Sequence, residues 1–291
     1  GPVVQTKVSY GKVEVKRDMN PAIAWDRPMV VMVNKLSASA SEIFAAAMQD
    51  YGRAIIVGGQ TYGKGTVQNI MPLNEWTSDK ETKLGQLKMT RGQFFRINGG
   101  STQNRGVIPD ITFPASPGLE NYAESSYENA LPWNSIASSD YTLFDDLSDE
   151  ISYLRKRFSE RSNVNFEFDF LKNEIELYNK EKDDVMVSLS ASTREQKVEE
   201  RKARKKERKE KRAAIIAQAQ VNPLLGKVDL VFDSKEELKS EDTKIAEQAI
   251  LDEAEEEDID DFVDFRLHET ARILSDLITL KLEHLIAKTE E

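Results

Sequence analysis

The stretch from Ser37 to Gln68 limits most sharply what this chain can become. An apolar run, Met29 to Val33, leads into it and reads as a buried strand. Ser37-Ala38-Ser39-Ala40-Ser41-Glu42 follows; the alanine-rich Glu42 to Gln49 has helical composition, and Gly52 is a natural stop. A second apolar run, Ala54 to Val57, ends in Gly58-Gly59, and Gly63-Lys64-Gly65 then opens Thr66-Val67-Gln68. The order is strand, serine-bearing turn, helix, strand, glycine-flanked lysine: an α/β unit. A hydroxyl at a helix start, with one lysine returning on the next strand's loop, supplies a nucleophile and a base.

Two readings of the serines stay open at this level. Ser39-Ala40-Ser41-Glu42 fits a capping box, with the hydroxyl accepting from a helical N–H and the glutamate reaching back. A cap does not call for three serines spaced by alanines. Small side chains let another chain approach the backbone, and the N–H groups of a helix N-terminus can face a developing oxyanion.

Lys64 invites a different comparison. Gly58 and Gly63-Lys64 have the spacing of a phosphate-binding loop, but Gly65 stands where that loop needs a Mg²⁺-binding Ser or Thr. The next residues, Thr66 to Pro72, are β-branched and end in proline, so they read as a strand where a phosphate loop must open a helix. Nucleotide binding is excluded. The two histidines, His268 and His284, both lie in a C-terminal segment of helical pattern, which argues against a Ser-His-Asp triad. The chain has no cysteine, which removes thiol nucleophiles and thiolate metal sites. Lysine is the base that remains. It serves only when neutral, so its ordinary pKa of about 10.4 must be lowered by desolvation. Glycines on both sides permit such a tight, buried placement. This chemistry needs no metal and no cofactor.

The stretch resembles the catalytic core of the C-terminal-processing, or tail-specific, serine proteases, in particular their periplasmic tail-specific branch. The resemblance rests on Ser37-Ala38-Ser39-Ala40-Ser41-Glu42-Ile43, on Ala45 through Ala54, and on Tyr62-Gly63-Lys64-Gly65-Thr66-Val67-Gln68. Gly106-Val107-Ile108-Pro109-Asp110 and Asn129-Ala130-Leu131-Pro132-Trp133 extend it. It implies Ser39 as nucleophile, Lys64 as general base, Gln68 holding the lysine amine, and the Ala40 backbone N–H as an oxyanion donor. Asp50 falls where that branch also has an acid; a structural role at the helix end and a catalytic role are both open. The resemblance further implies peptide-bond hydrolysis through an acyl-enzyme, on protein substrates recognised by apolar C-termini. The expected setting is the periplasm of a Gram-negative bacterium, with adaptor proteins and cell-wall enzymes as partners. Two rivals are a catalytically dead scaffold binding partners through its helical C-terminal region, and a basic-helix interaction module.

The 291 residues, 39% hydrophobic and 31% charged, suggest two domains. A net charge of -11 argues against nucleic-acid binding and against the basic-helix module. No apolar run is long enough to span a membrane. Val3–Val8 and Lys12–Val15 read as a strand pair around Ser9-Tyr10-Gly11, and Gln86 to Ile97 as a further strand, with Phe94 and Phe95 in core or cleft. Asp79-Lys80-Glu81 belong to a polar connection. Pro109, Pro114 and Pro117-Gly118 punctuate a boundary, so residues 1–118 are expected to be protease-domain sequence and 119–291 a largely α-helical domain.

In that second part, Tyr141–Phe158 and Phe166–Tyr178 have amphipathic helical spacing, and Val185–Leu189 suggests a short strand. Glu199 to Arg212 carries nine basic and four acidic residues and reads as an exposed, self-paired helix. Asp252 to Asp264, with nine acids, reads as a solvated linker. Phe265–Ile286 returns to helical spacing, with Leu267, Ile273, Leu274, Leu277, Ile278 and Leu285 as a packing stripe.

The resemblance places a glycine-rich oxyanion loop, a peptide-binding PDZ domain and a helical region upstream of these residues. Residues 1–291 by themselves are therefore expected to turn over an apolar-tailed protein far more slowly than the longer enzyme, by about 10²–10³ for one missing oxyanion donor alone. Comparable turnover, with Ser39→Ala as the blank, would show that they hold a complete active site.

Overall fold

The computed structural model describes residues 1–8, 11–20, 22–76, 84–116, 118–119, 122–182, 188–221 and 265–290. Ser9-Tyr10, Asp79-Lys80-Glu81, Pro117, most of the strand expected at Val185–Leu189 and the acidic run Asp252–Asp264 lie outside the described residues. By internal contact the chain forms two units: Gly1–Asp184 with Arg272–Glu291, and Val185–Ala271.

The first unit opens with the expected strand pair, β1 (Pro2–Val8) against β2 (Val13–Arg17), antiparallel with Gln5 opposite Val15. Next come β3 (Val30–Val33), α1 (Ala40–Asp50) and β4 (Ile55–Gly58), the β-α-β order that the apolar runs predict. The two strands pair in parallel, Val30 with Ile55 through Val33 with Gly58. β4 is buried along its whole length, as an apolar run at the centre of a parallel sheet requires. β3 is less buried than its composition suggests: it lies at the edge of that sheet, and Met32 stays 41% exposed.

Thr66–Pro72 forms a strand, β5, and not the helix of a phosphate loop. It pairs antiparallel with β6 (Gln86–Phe95), giving one sheet of order β2-β1-β6-β5. Phe94 and Phe95, at the inner end of β6, are buried core residues. The short β7 (Ile111–Thr112) adds parallel to β4 and completes the second sheet, β3-β4-β7. Asp110 anchors it. Its carboxylate accepts from the Ile56 N–H at 2.8 Å and from the Gln49 side chain at 2.9 Å, tying the Gly-Val-Ile-Pro-Asp turn to both β4 and α1.

The helical region begins later than its hydrophobic spacing suggests. The expected helix Tyr141–Phe158 is instead α2 (Ser148–Ser162), because residues 141–147 are taken up by contacts to the end of α1. Tyr141 meets Tyr51 edge-on at 5.4 Å, and the Phe144 N–H donates to the Tyr51 carbonyl. Gly52, at φ 61°, permits this approach, since a Cβ there would overlap the Asp145 backbone. The helix then starts where Asp146 accepts the Ser148 N–H. α3 (Phe166–Glu181) is capped by Asn165, whose side chain accepts from the Glu167 N–H. Phe113 after β7, Phe158 on α2 and Phe168 on α3 form one aromatic cluster, with centroids 4.9–5.8 Å apart.

In the second unit α4 (Ala191–Val221) is exposed over nearly all its described length. Its charges pair along the helix, Lys202 with Glu199 at 3.3 Å and Lys211 with Glu207 at 2.7 Å, as the interspersed glutamates predict. The last helix is α5 (Phe265–Glu290), of which residues 272–290 belong to the first unit. There Ile273 and Leu277 are buried, and Lys281 bridges Asp145 and Glu150. The expected stripe does not hold to its end: Ile278 is 40% and Leu285 61% exposed. Ile278 sits one residue, about 100° of helix turn, away from buried Leu277. Among the described residues no helix is long and apolar enough to cross a membrane.

Phe168 is fully buried at the junction of β7, α2 and α3. Phe168→Ala should lower stability by about 3–5 kcal/mol, read as a shift in the urea midpoint at unchanged slope. A shift within error of zero would mean that the aromatic cluster does not hold the helices to the sheet.

Candidate active site

Ser39 occupies the turn between β3 and α1 with φ 57° and ψ -111°. For a non-glycine residue this conformation costs on the order of 1–3 kcal/mol. It is also the sharp strand-to-helix turn that presents a serine hydroxyl at the top of a sheet. Asn34 sets up the approach: its side chain accepts from the Leu36 N–H and its N–H donates to Ser37 Oγ. Ala40 opens the helix and is exposed, so its N–H is one of the donors that a helix start leaves without an intrahelical acceptor.

Glu42 fulfils the capping-box expectation, its Oε2 accepting the Ser39 N–H at 2.9 Å. It also does something that no cap requires. The side chain is fully buried, and the same Oε2 accepts the Lys64 N–H at 3.0 Å. Oε1 takes the Gly63 N–H at 2.7 Å and the Thr61 hydroxyl. Thr61 Oγ1 in turn accepts the Val107 N–H at 2.7 Å, which draws in the Gly-Val-Ile-Pro-Asp turn. The serine turn and the lysine loop are thus joined at a single carboxylate oxygen. A direct backbone link, Tyr62 N–H to Ser37 carbonyl at 3.0 Å, runs beside it.

Burial pushes the Glu42 carboxyl above its ordinary value, against the pull of these four donors. The sign matters. Folding favours the neutral form, so this group's contribution to stability is full below the ordinary value of 4.5 and is lost as pH rises through the higher folded-state value. Above that value the ionised carboxylate costs stability, while its four hydrogen bonds secure position.

The glycines around Lys64 have a packing reason. Gly63 has φ 94°, and a Cβ there would press on the Asn104 backbone at 3.0 Å. At Gly65 a Cβ would meet the Gln103 backbone nitrogen at 2.8 Å. The loop is therefore clasped between Glu42 and residues 101–104. Lys64 itself is half-buried, and among the described residues its amine has no ion-pair partner. A second lysine, Lys35, approaches the same loop; its amine donates to the Thr61 carbonyl at 3.4 Å, and burial pushes its pKa down against the charge of Glu42.

The structure places the other expected residues less uniformly. Gln68 lies on β5, exposed, at a register shift: Val67 pairs with Gly92 but Gln68 with Thr90. Among the described residues its side chain makes no hydrogen bond to Lys64. Asp50 stands at the other end of the 11-residue helix from Ser39, about 16 Å away by helical rise. Its side chain, 5% exposed, is held by Arg96 Nη2 and Nε and by Asn98 Nδ2. That geometry is structural, fastening the end of α1 to the turn after β6. His284 is exposed and His268 half-buried on α5. Among the described residues no group of His, Cys, Asp and Glu side chains could hold a metal.

Sequence reasoning assigned Glu42 to capping and gave no part to Thr61, Gln103 or Glu124. Glu42 carried a signal, since a cap glutamate sits in the midst of the serine motif. Thr61 and Gln103 carried none.

Residues 1–113 match the family model described as Peptidase family S41, and residues 119–279 the one described as the C-terminal domain of tail specific protease. The tail-specific protease of Haemophilus influenzae is 39% identical over 197 residues, covering 67% of this chain and 28% of its own length. A carboxy-terminal-processing protease of Bartonella bacilliformis is 44% identical over 86 residues, 30% of this chain and 18% of that protein. In Arabidopsis thaliana, the chloroplastic carboxyl-terminal-processing peptidase 3 is 60% identical over 84 residues, 29% and 15% of the two chains. The chain thus spans less than a third of the length of each of these relatives.

Glu42→Gln keeps the side-chain size but turns an NH₂ toward backbone N–H donors. It should cost about 1–3 kcal/mol in urea unfolding and accelerate amide exchange at Gly63 and Lys64. Wild-type stability should fall as pH rises through the Glu42 pKa, a dependence the variant lacks. Unchanged exchange at both amides would show that the carboxylate does not hold the loop.

Proposed function

This chain belongs to the tail-specific proteases of peptidase family S41, a family of C-terminal-processing serine proteases, and we propose that it hydrolyses peptide bonds with Ser39 as nucleophile and Lys64 as base. The observation that carries this reading is the shared Glu42 oxygen, which holds the backbone of a strained, partly exposed serine beside that of the lysine. Of the two lysines at this loop, Lys35 has its amine on the Thr61 carbonyl, whereas the Lys64 amine makes no ion pair among the described residues.

Lys64 Nζ takes the Ser39 Oγ proton as Oγ attacks the scissile carbonyl carbon. The Ala40 N–H, at the positive end of α1, stabilises the oxyanion. Collapse of the tetrahedral intermediate expels the amine, which receives the proton from Lys64 and leaves an ester on Ser39. Water, deprotonated by the same lysine, then releases the acid and restores the hydroxyl. Gln68, exposed on β5, is assigned to orienting the amine. Protein chains with apolar C-termini are the proposed substrates, a reading supported by the family's C-terminal-processing character; the periplasm is the proposed compartment, and adaptor proteins and cell-wall enzymes are the proposed partners.

In the full-length enzyme, Ser39→Ala and Lys64→Ala should each lower kcat for a fluorogenic peptide by about 10³-fold or more while leaving the melting curve intact. Lys64→Arg should fail equally, because a guanidinium stays protonated near neutral pH. Gln68→Ala should cost less than Lys64→Ala, since it positions a base without carrying the proton. Activity retained in folded Lys64→Ala would overturn the assignment.

A further inference from the structure

Three successive N–H groups around Lys64 are captured by side chains from two different regions of the chain. Gly63 and Lys64 donate to Glu42, on the nucleophile's own helix. The Gly65 N–H goes the other way, to Gln103 Oε1 at 2.9 Å. Gln103 is fully buried, and its Nε2 donates to Glu124 Oε1 at 3.2 Å. The two ends of a primary amide are nearly the same size, so packing does not choose between them. A carboxylate, which can only accept, facing Nε2 does choose. It leaves the carbonyl end pointing at Gly65.

Glu124 also holds the loop through its backbone. Its N–H donates to the Tyr62 carbonyl at 3.1 Å, two residues before Lys64. The Tyr62 ring meets Tyr122 edge-on at 5.7 Å. Further along the same segment, Trp133 Nε1 donates to the Ser101 carbonyl at 2.8 Å, and the Arg105 guanidinium stacks over its ring at 4.0 Å. The loop that carries Gln103 is therefore gripped by the segment that supplies Glu124. All of these strap residues lie within 119–279, the region matched to the C-terminal domain of tail specific protease.

We propose that residues 122–133 are a positioning strap for the Lys64 loop, and that Glu124 is a positioning residue that acts on Lys64 through the buried amide of Gln103. This rests on the reading of Lys64 as the base. The C-terminal region then contributes to turnover itself and not only to substrate capture. A displacement of about 1 Å in a catalytic group can cost on the order of 10² in rate. Slack in this loop should therefore appear in kcat.

The test uses the full-length enzyme and a fluorogenic peptide with an apolar C-terminus, with Lys64→Ala as a control. Glu124→Ala should lower kcat by about 10- to 100-fold, with KM within about twofold of wild type. Glu124→Gln, whose carbonyl can still accept from Gln103, should recover kcat to within about threefold of wild type. The exposed Glu14→Ala, on β2 and outside the strap, should match wild type. If Glu124→Ala does not melt cooperatively, Glu124→Asp must show the kcat loss, since it keeps the charge and the backbone bond but withdraws the oxygen by one methylene. Wild-type kcat in folded Glu124→Ala, or a loss confined to KM, overturns the strap. An active Lys64→Ala overturns the Ser-Lys reading instead, and the two failures are distinguishable.

Discussion

The buried carboxylate of Glu42 joins the serine turn to the lysine loop. Each oxygen accepts two hydrogen bonds, and the four donors come from the serine turn and from residues 61–64. Placing a charge out of water is costly, and its cost appears here as a carboxyl pushed upward by burial. Apolar packing would stabilise the same volume at lower cost, but it has no direction. Four hydrogen bonds converging on two atoms fix both the distance and the orientation of the loops, as the proposed nucleophile and base require.

The rest of the fold braces that junction from both sides. On the serine side, β3 and the fully buried β4 set the base of α1, and Asp50 with Arg96 fixes its far end. The helix is thereby a rigid strut whose first turn presents Ser39 in a strained conformation. On the lysine side, Gly63 and Gly65 let the loop lie against residues 101–104 closely enough for backbone hydrogen bonds, including Asn104 N–H to the Gly63 carbonyl at 2.8 Å. Any side chain at either glycine would lift the loop away from both Glu42 and Gln103.

The helical region belongs to the same arrangement. The composition boundary near residue 118 marks a change of residue type, while the first compact unit continues through Asp184 and takes in Arg272–Glu291. Phe158 and Phe168 pack on Phe113 just beyond β7, and Lys281 reaches Asp145 and Glu150. Such contacts join sequence far downstream to the end of β7 and to the start of α2.

Local order was legible from residue types. Alternating and continuous apolar runs gave β3, α1, β4, β5 and β6 near their observed bounds, because strand and helix periodicity depend on neighbours within a few residues. The serine and lysine motifs were legible too, since each is contiguous. The start of α2 and the end of the α5 stripe were not, because Tyr141, Phe144, Ile278 and Leu285 are placed by what lies opposite them. Asp50 could be read as an acid at a helix end, yet only Arg96, 46 residues on, makes it structural. Glu42 looked like a cap because a sequence shows the partner three residues back and hides the one twenty-two residues ahead. Side-chain hydrogen bonds between distant segments leave no periodic trace, so which residues meet at Lys64 is decided when the sheets and the 101–104 loop close around it.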